Sequence, residues 1–234
     1  VCIRATRGCP YRCTYCASRF LCGDQRLRNP CRVADEIEFW HREHGVHDFA
    51  FYDDALLTPR ENAASLLETI VEKGLDVRFH CPNGLHAREI THDMARLMRK
   101  AGFSTIRLGL ETVSAHRQNV TGGKVTNDEF VLAMEGLRRA GYGPEEVGVY
   151  ILCGLPGQGA AEVMDAVRFV KENAGRPRLC EYSPIPHTRD WEEAVRTSPY
   201  PIETEPLFHN NTLMPCRSEG FTLEQYEAIK RDLK

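Results

Sequence analysis

The chain is 234 residues long, enough for one large domain or one and a half, and its 30 Lys and Arg against 33 Asp and Glu give a formal charge of −3. That balance supplies no bulk electrostatic pull toward nucleic acid or an anionic membrane, and no apolar run approaches the roughly 18 residues of a membrane span. A hydrophobic share of 42% with 27% charged residues excludes a disordered or collagen-like chain, and ten cysteines are too sparse for a disulfide scaffold. Three of those cysteines sit within eight residues, which points to a metal or cluster site in a reducing, cytoplasmic setting.

In chain order, Val1 to Thr6 reads as a first strand rather than a targeting segment. Five amphipathic helices follow at 3.6-residue spacing, marked by Val33, Ile37 and Trp40, by Ala63 to Val71, by Met94 to Ala101, by Phe130 to Leu137 and by Val163 to Val170. After them stand Gly45, Gly74, Gly102, Gly141 and Gly175, where a helix needs a residue that tolerates a left-handed cap. Each glycine precedes a short apolar run that reads as a strand: Asp48 to Tyr52, Val77 to Cys81, Thr105 to Leu110, Val147 to Cys153 and Leu179 to Tyr182. Six β/α units in series predict a parallel sheet with right-handed crossovers. The fold expected is α/β, a partial, open (β/α)6 TIM-like barrel over residues 1–183.

The tail, 184–234, is broken by Pro184, Pro186, Pro199, Pro201, Pro206 and Pro215 and is expected to wrap the barrel as an extension. A capping box, Thr222-Leu-Glu-Gln225, opens a last helix within it. With no initiator Met and a helix near the other end, the chain is expected to be cut from a longer protein.

In a parallel β/α array the chemistry lies on the loops after the strands. Alternation puts Arg107, Gly109 and Glu111 on one face of the fourth strand and Ile106, Leu108 and Leu110 on the other. Arg4, Thr6, Arg78, His80 and Glu181 are expected to join the polar, inner face, where charges need a polar ligand.

After the first strand comes Arg7-Gly-Cys9-Pro-Tyr-Arg-Cys13-Thr-Tyr-Cys16. Three thiolates on one tight loop favour an iron-sulfur cluster or zinc. A structural zinc site needs a fourth ligand, which only a remote Cys22 or Cys31 offers; three ligands on a [4Fe-4S] cluster leave one iron open.

With Cys-x3-Cys-x2-Cys on the first loop of a six-unit array, the chain resembles the radical S-adenosylmethionine (radical SAM) superfamily. The stretches FYDDALL, IRLGLET, YILCGLPGQ and YSPIPHT, each at the end of an expected strand, extend the resemblance to most of the chain. They resemble the branch often carrying cobalamin-binding domains, near the methylthiotransferases and the oxygen-independent coproporphyrinogen oxidase-like enzymes. The resemblance implies that Cys9, Cys13 and Cys16 ligate a [4Fe-4S] cluster whose open iron takes SAM. It implies Tyr15 near the adenine, Glu111 on the ribose or methionine part, and Gly154, Pro156 and Gly157 lining the adenine side. Asp53 and Asp54 replace the Gly-Gly-Glu segment that meets the methionine ammonium in many relatives. The implied activity is reductive cleavage of SAM to a 5'-deoxyadenosyl radical, for hydrogen abstraction or methyl transfer on a small-molecule substrate, with an electron donor such as flavodoxin or ferredoxin. Cobalamin enters only if a domain outside this sequence holds it.

Further candidates are His187, Asn83, His86 and Glu181 as substrate contacts, and Cys81 or Cys153 as a substrate-facing thiol. Gly122-Gly123-Lys124 lacks the spacing of a phosphate loop and reads as a turn before an Asn127-capped helix. The rival class is a non-catalytic iron-sulfur or zinc scaffold or electron-transfer domain. The polar strand ends Asp53, Asp54 and Glu111 argue for the enzyme.

Overall fold

A computed structural model describes residues 1–233. Six strands, β1 (Cys2–Ile3), β4 (Asp48–Phe51), β5 (Arg78–His80), β6 (Phe103–Glu111), β7 (Val147–Cys153) and β8 (Arg176–Glu181), form one sheet in chain order. Every neighbouring pair in it is parallel. The crossovers carry α2 (Pro30–His44), α3 (Arg60–Glu72), α4 (His92–Ala101), α5 (Ala115–Val120), α6 (Asn127–Arg139) and α7 (Ala160–Glu172). This is the expected partial barrel. The expected first strand breaks in two: β2 (Thr6–Arg7) leaves the main sheet and pairs antiparallel with β3 (Arg26–Leu27), with the short α1 (Ser18–Cys22) between them.

Helix ends follow local chemistry. Asn29, Thr91 and Ser114 each accept a backbone N–H at an N-terminus, and Gly45 and Gly102 close α2 and α4 in the left-handed region. Two expectations shift here. The cap of α6 is Thr126, in a capping box with Glu129, and Asn127 is the first helical residue. Gly175 is not the left-handed residue after α7; Ala174 takes that conformation at φ 56°. Gly175 is small for another reason, since a Cβ there would lie 3.0 Å from both Val149 and Val170.

The helix-facing side of the sheet is apolar. Phe49, Phe51, Phe79, Phe103, Ile106, Leu108, Leu110, Val149 and Ile151 are all buried there against the helices. The other face carries the alternate residues, and the sheet register aligns Arg107 with Gly148 and Arg176, then Gly109 with Tyr150 and Arg178. The tail holds α8 (Trp191–Thr197) and α9 (Leu223–Arg231), the latter opened by the Thr222–Gln225 capping box. Tyr226 and Ile229 of α9 join the main core on the helix side. Among the described residues no helix is long and apolar enough to cross a membrane.

Candidate active site

The cysteine loop, residues 8–17, starts where β2 peels away from the sheet, and two carboxylates just past β4 fix that start. Asp53, 4% exposed, accepts the backbone N–H groups of Ala5 (2.9 Å) and Thr6 through one oxygen. Asp54 accepts from Gly8 N–H at 3.2 Å. The resemblance places both where relatives meet the methionine ammonium; in this structure they tie the loop backbone to the sheet. Burial pushes the Asp53 carboxyl up to about 6 against these donors, and its second oxygen has no protein partner.

A second support comes from the far side. Thr14 N–H donates to Thr121 O at 3.1 Å, and Gly122 sits so close that a Cβ there would lie 2.8 Å from Arg12 O. Only glycine allows this approach, at φ 112°. The turn that follows delivers Lys124, whose Nζ lies 2.5 Å from Glu111 Oε1 with both side chains less than a fifth exposed. Glu111 itself takes a left-handed φ of 68°, at a register shift in the β6–β7 ladder, which aims its carboxylate inward. Gly109 leaves room for the pair, since a Cβ there would lie 2.5 Å from Lys124 Nζ and 2.6 Å from Glu111 Oε1. Lys124 was read as part of a turn; its role becomes visible only when residues more than a hundred apart come together.

Burial, aided by the neighbouring sulfurs, pushes the Cys9 thiol up to about 11. Burial also raises Cys13, against the pull of the Lys124 ammonium and a hydrogen bond from Tyr15. Burial lowers the Lys124 ammonium, but Glu111 and Cys13 outweigh it and hold it charged. Among the described residues no three His, Cys, Asp or Glu close on a single ion. A tetrahedral zinc site brings its donors within about 2.3 Å of one ion, whereas a [4Fe-4S] cluster takes one thiolate at each of three irons. Three soft thiol donors on one loop have the chemistry of an iron-sulfur ligand set, and the Lys124–Glu111 pair lies beside them.

His86 belongs to this site although it was expected to meet substrate. It is 8% exposed, stacks on Tyr11 at 4.4 Å between centroids, and places Nε2 3.8 Å from Cys9 Sγ. Burial, with Lys124 and Arg88 adding to it, lowers its pKa to about 3, so the ring is neutral. Its Nδ1 is buried without a protein partner, and Nε2 is the ring nitrogen that faces the sulfur.

The other expected residues fall as follows. Tyr15 bonds Cys13, and burial first, then Glu111, raises its phenol well above the ordinary range. His187 lines an open cleft of about 400 Å³ with Cys13, Cys16, Phe20 and Arg189, and stacks on Phe20. Among the described residues Asn83 reaches only the Asp53 carbonyl, at 3.5 Å. In the Gly154–Gly157 turn, the N–H groups of Gly154 and Leu155 donate to the folded-back Gln158 side chain, and Arg117 donates to the carbonyls of Pro156 and Gly157. Those backbone groups are therefore satisfied internally. Glu181 is not on the inner face: it accepts from Tyr226 and pairs with Lys230 of α9 on the helix side. Cys81 and Cys153 are likewise buried in the helix-side core, and Cys180 is the thiol whose strand position matches the inner face.

A parallel partial barrel with three thiols on its first loop and a buried ion pair against them defines a cluster-bearing enzyme core. Residues 3–170 match the Radical SAM superfamily, and the chain belongs to it. Membership brings the [4Fe-4S] cluster and SAM as cofactors. An uncharacterised methyltransferase of Pyrococcus horikoshii is 25% identical over 195 residues, 82% of this chain and 41% of that protein. The anaerobic magnesium-protoporphyrin IX monomethyl ester cyclase of Cereibacter sphaeroides is 30% identical over 136 residues, 57% of this chain and 22% of the cyclase. The fold is shared with TsrM, a radical SAM methyltransferase of Kitasatospora setae solved with tryptophan and a SAM analogue, at a TM-score of 0.72, 19% identity, and 83% and 38% of the two chains. This chain thus spans less than half the length of these relatives.

Proposed function

We propose that this chain is the core of a radical SAM enzyme that cleaves SAM reductively, and that the whole protein uses the core for methyl transfer to an organic substrate. The observation that carries the first part is the Lys124–Glu111 pair against the Cys9, Cys13 and Cys16 loop. When bound, the cluster supplies the electron that splits the SAM sulfonium into methionine and a 5'-deoxyadenosyl radical. The protein's own work is positional. Asp53 and Asp54 set the loop against the sheet, Gly122 lets the Lys124 turn reach it, and Glu111 and Lys124 present opposite charges to the ammonium and carboxylate of an amino acid. Tyr15 covers the loop from the tail side, against Leu152 and Leu155.

Methyl transfer is favoured by the relatives, which include a methyltransferase and a hopanoid C-2 methylase, and by structural likeness to two enzymes solved with cobalamin. The cobalamin is then held by a part of the protein beyond this sequence. The test of the first part is anaerobic reconstitution with iron and sulfide, then dithionite and SAM, with 5'-deoxyadenosine and methionine measured by mass spectrometry. Product that disappears in Cys13→Ala supports the reading; a loaded cluster with no SAM cleavage overturns it. The second part is tested by supplying the whole protein with methyl-deuterated SAM and cobalamin, where label must appear on an acceptor other than water.

A further inference from the structure

The inner face of the sheet carries a group of charges that the cluster loop does not use. On its β4–β5 side the charges cancel: Asp48 accepts from Arg78 at 2.5 and 2.8 Å and meets His80 at 3.1 Å, and His80 in turn meets Thr105 at 3.0 Å. On the β6–β8 side they do not. Arg107 is half-buried, and its one hydrogen bond at normal length is to the carbonyl of its own neighbour, Ile106, at 2.8 Å. Arg178, two strands away in the next row of the register, has no carboxylate partner among the described residues, and Arg176 meets only Glu145. Burial first, then Arg178, disfavours the charge on Arg107, with Arg176 adding to it.

Arg107 is held in place by its surroundings, whereas Arg178 is exposed. Arg107 lies across Gly148, where a Cβ would stand 2.9 Å from its Cδ and 3.0 Å from Nη1, so any side chain there would displace the guanidinium. The neighbouring Tyr150 is held too: its OH donates to Pro82 O at 2.7 Å, and Gly84, at φ 80°, leaves room for its ring, since a Cβ would lie 3.2 Å from Cδ2. A guanidinium fixed over a glycine beside a second cation and facing no carboxylate has the chemistry of an anion site.

We propose that Arg107 and Arg178 anchor an oxyanion of the substrate, a carboxylate or a phosphate, on the inner face of the sheet below Glu111. The assignment rests on the radical SAM reading, in which the substrate lies on this face. Arg107 is four residues before Glu111 on β6, about 13 Å along a strand. A substrate anchored there would span from Arg107 toward the level of Glu111, a backbone separation that the reach of the two side chains shortens.

The test titrates the reconstituted chain by calorimetry with inorganic pyrophosphate and, separately, with glutarate. Saturable binding of either anion is expected, weakened at least tenfold in both Arg107→Gln and Arg178→Gln and unchanged in Arg32→Gln on the exposed side of α2. Thermal unfolding of each variant verifies that it is folded. Pyrophosphate binding alone assigns a phosphate, and glutarate binding alone a carboxylate. No saturable binding to the wild-type chain, or binding that both arginine variants retain, overturns the proposal. If the wild-type chain binds the anion through these arginines yet fails to cleave SAM, the proposed function falls and the anion site stands.

Discussion

The pair of Lys124 and Glu111 sets a quantitative condition on the site. Replacing Lys124 by Met keeps most of the stem and removes the ammonium, leaving Glu111 in a left-handed backbone position with its carboxylate unpaired. Deleting one partner of a buried pair costs about 3–5 kcal/mol. The two side chains here retain 17% and 16% exposure, so the low end, about 3 kcal/mol, applies to urea unfolding of the metal-free chain at pH 7. The double variant Lys124→Met/Glu111→Leu should recover most of that loss, because no charge is then stranded. The same substitution removes the cation that draws the Cys13 thiol downward, so alkylation of Cys13, resolved by peptide mass spectrometry, should shift to higher pH. A single variant within about 0.5 kcal/mol of wild type, together with an unchanged Cys13 profile, would refute the argument that this pair is a buried, coupled part of the site.

Asp53 gives a pH signature. Its carboxyl titrates at about 6 when folded and near 3.9 when unfolded, so its contribution to stability is fullest below pH 4 and is lost as pH rises through 6. Relative to Asp53→Asn, the wild-type chain should lose about 2 kcal/mol between pH 4 and 8; a difference that stays flat with pH contradicts the assignment. If Nε2 donates to the ligated Cys9 sulfur, His86→Phe keeps the stack on Tyr11 and removes that donor, so the reduction midpoint of the loaded cluster should move to a more negative potential, and an unmoved midpoint would show that no such hydrogen bond exists. Gly122→Ala should lose about 1–3 kcal/mol and load less iron, since its Cβ collides with Arg12 O; iron bound per chain after reconstitution reads this directly.

The helices and sheet were legible because each local signal agreed with the fold: apolar spacing, a stop at Gly45 or Gly102, then an alternating strand. The cysteine loop was legible for the same reason, as three thiols share eight residues of chain. Lys124 was not, because its place depends on Gly122 meeting Arg12 O, a contact that no periodicity announces. Glu181 was misplaced because β8 runs from Arg176, and its parity puts Arg178 and Cys180, not Glu181, on the inner face. Asp53 and Asp54 were correctly placed after β4, but their partners, the backbone of Ala5, Thr6 and Gly8, follow from the break between β1 and β2. That break needs the non-local β2–β3 pairing to be seen.

The most direct measurement is the electron paramagnetic resonance spectrum of the reconstituted, dithionite-reduced chain with and without SAM. Three thiolates on one loop with an ion pair beside them predict a reduced [4Fe-4S] signal that changes when SAM is added and is absent in Cys13→Ala. A spectrum that SAM leaves unaltered, or a cluster that Cys13→Ala retains, would contradict the account.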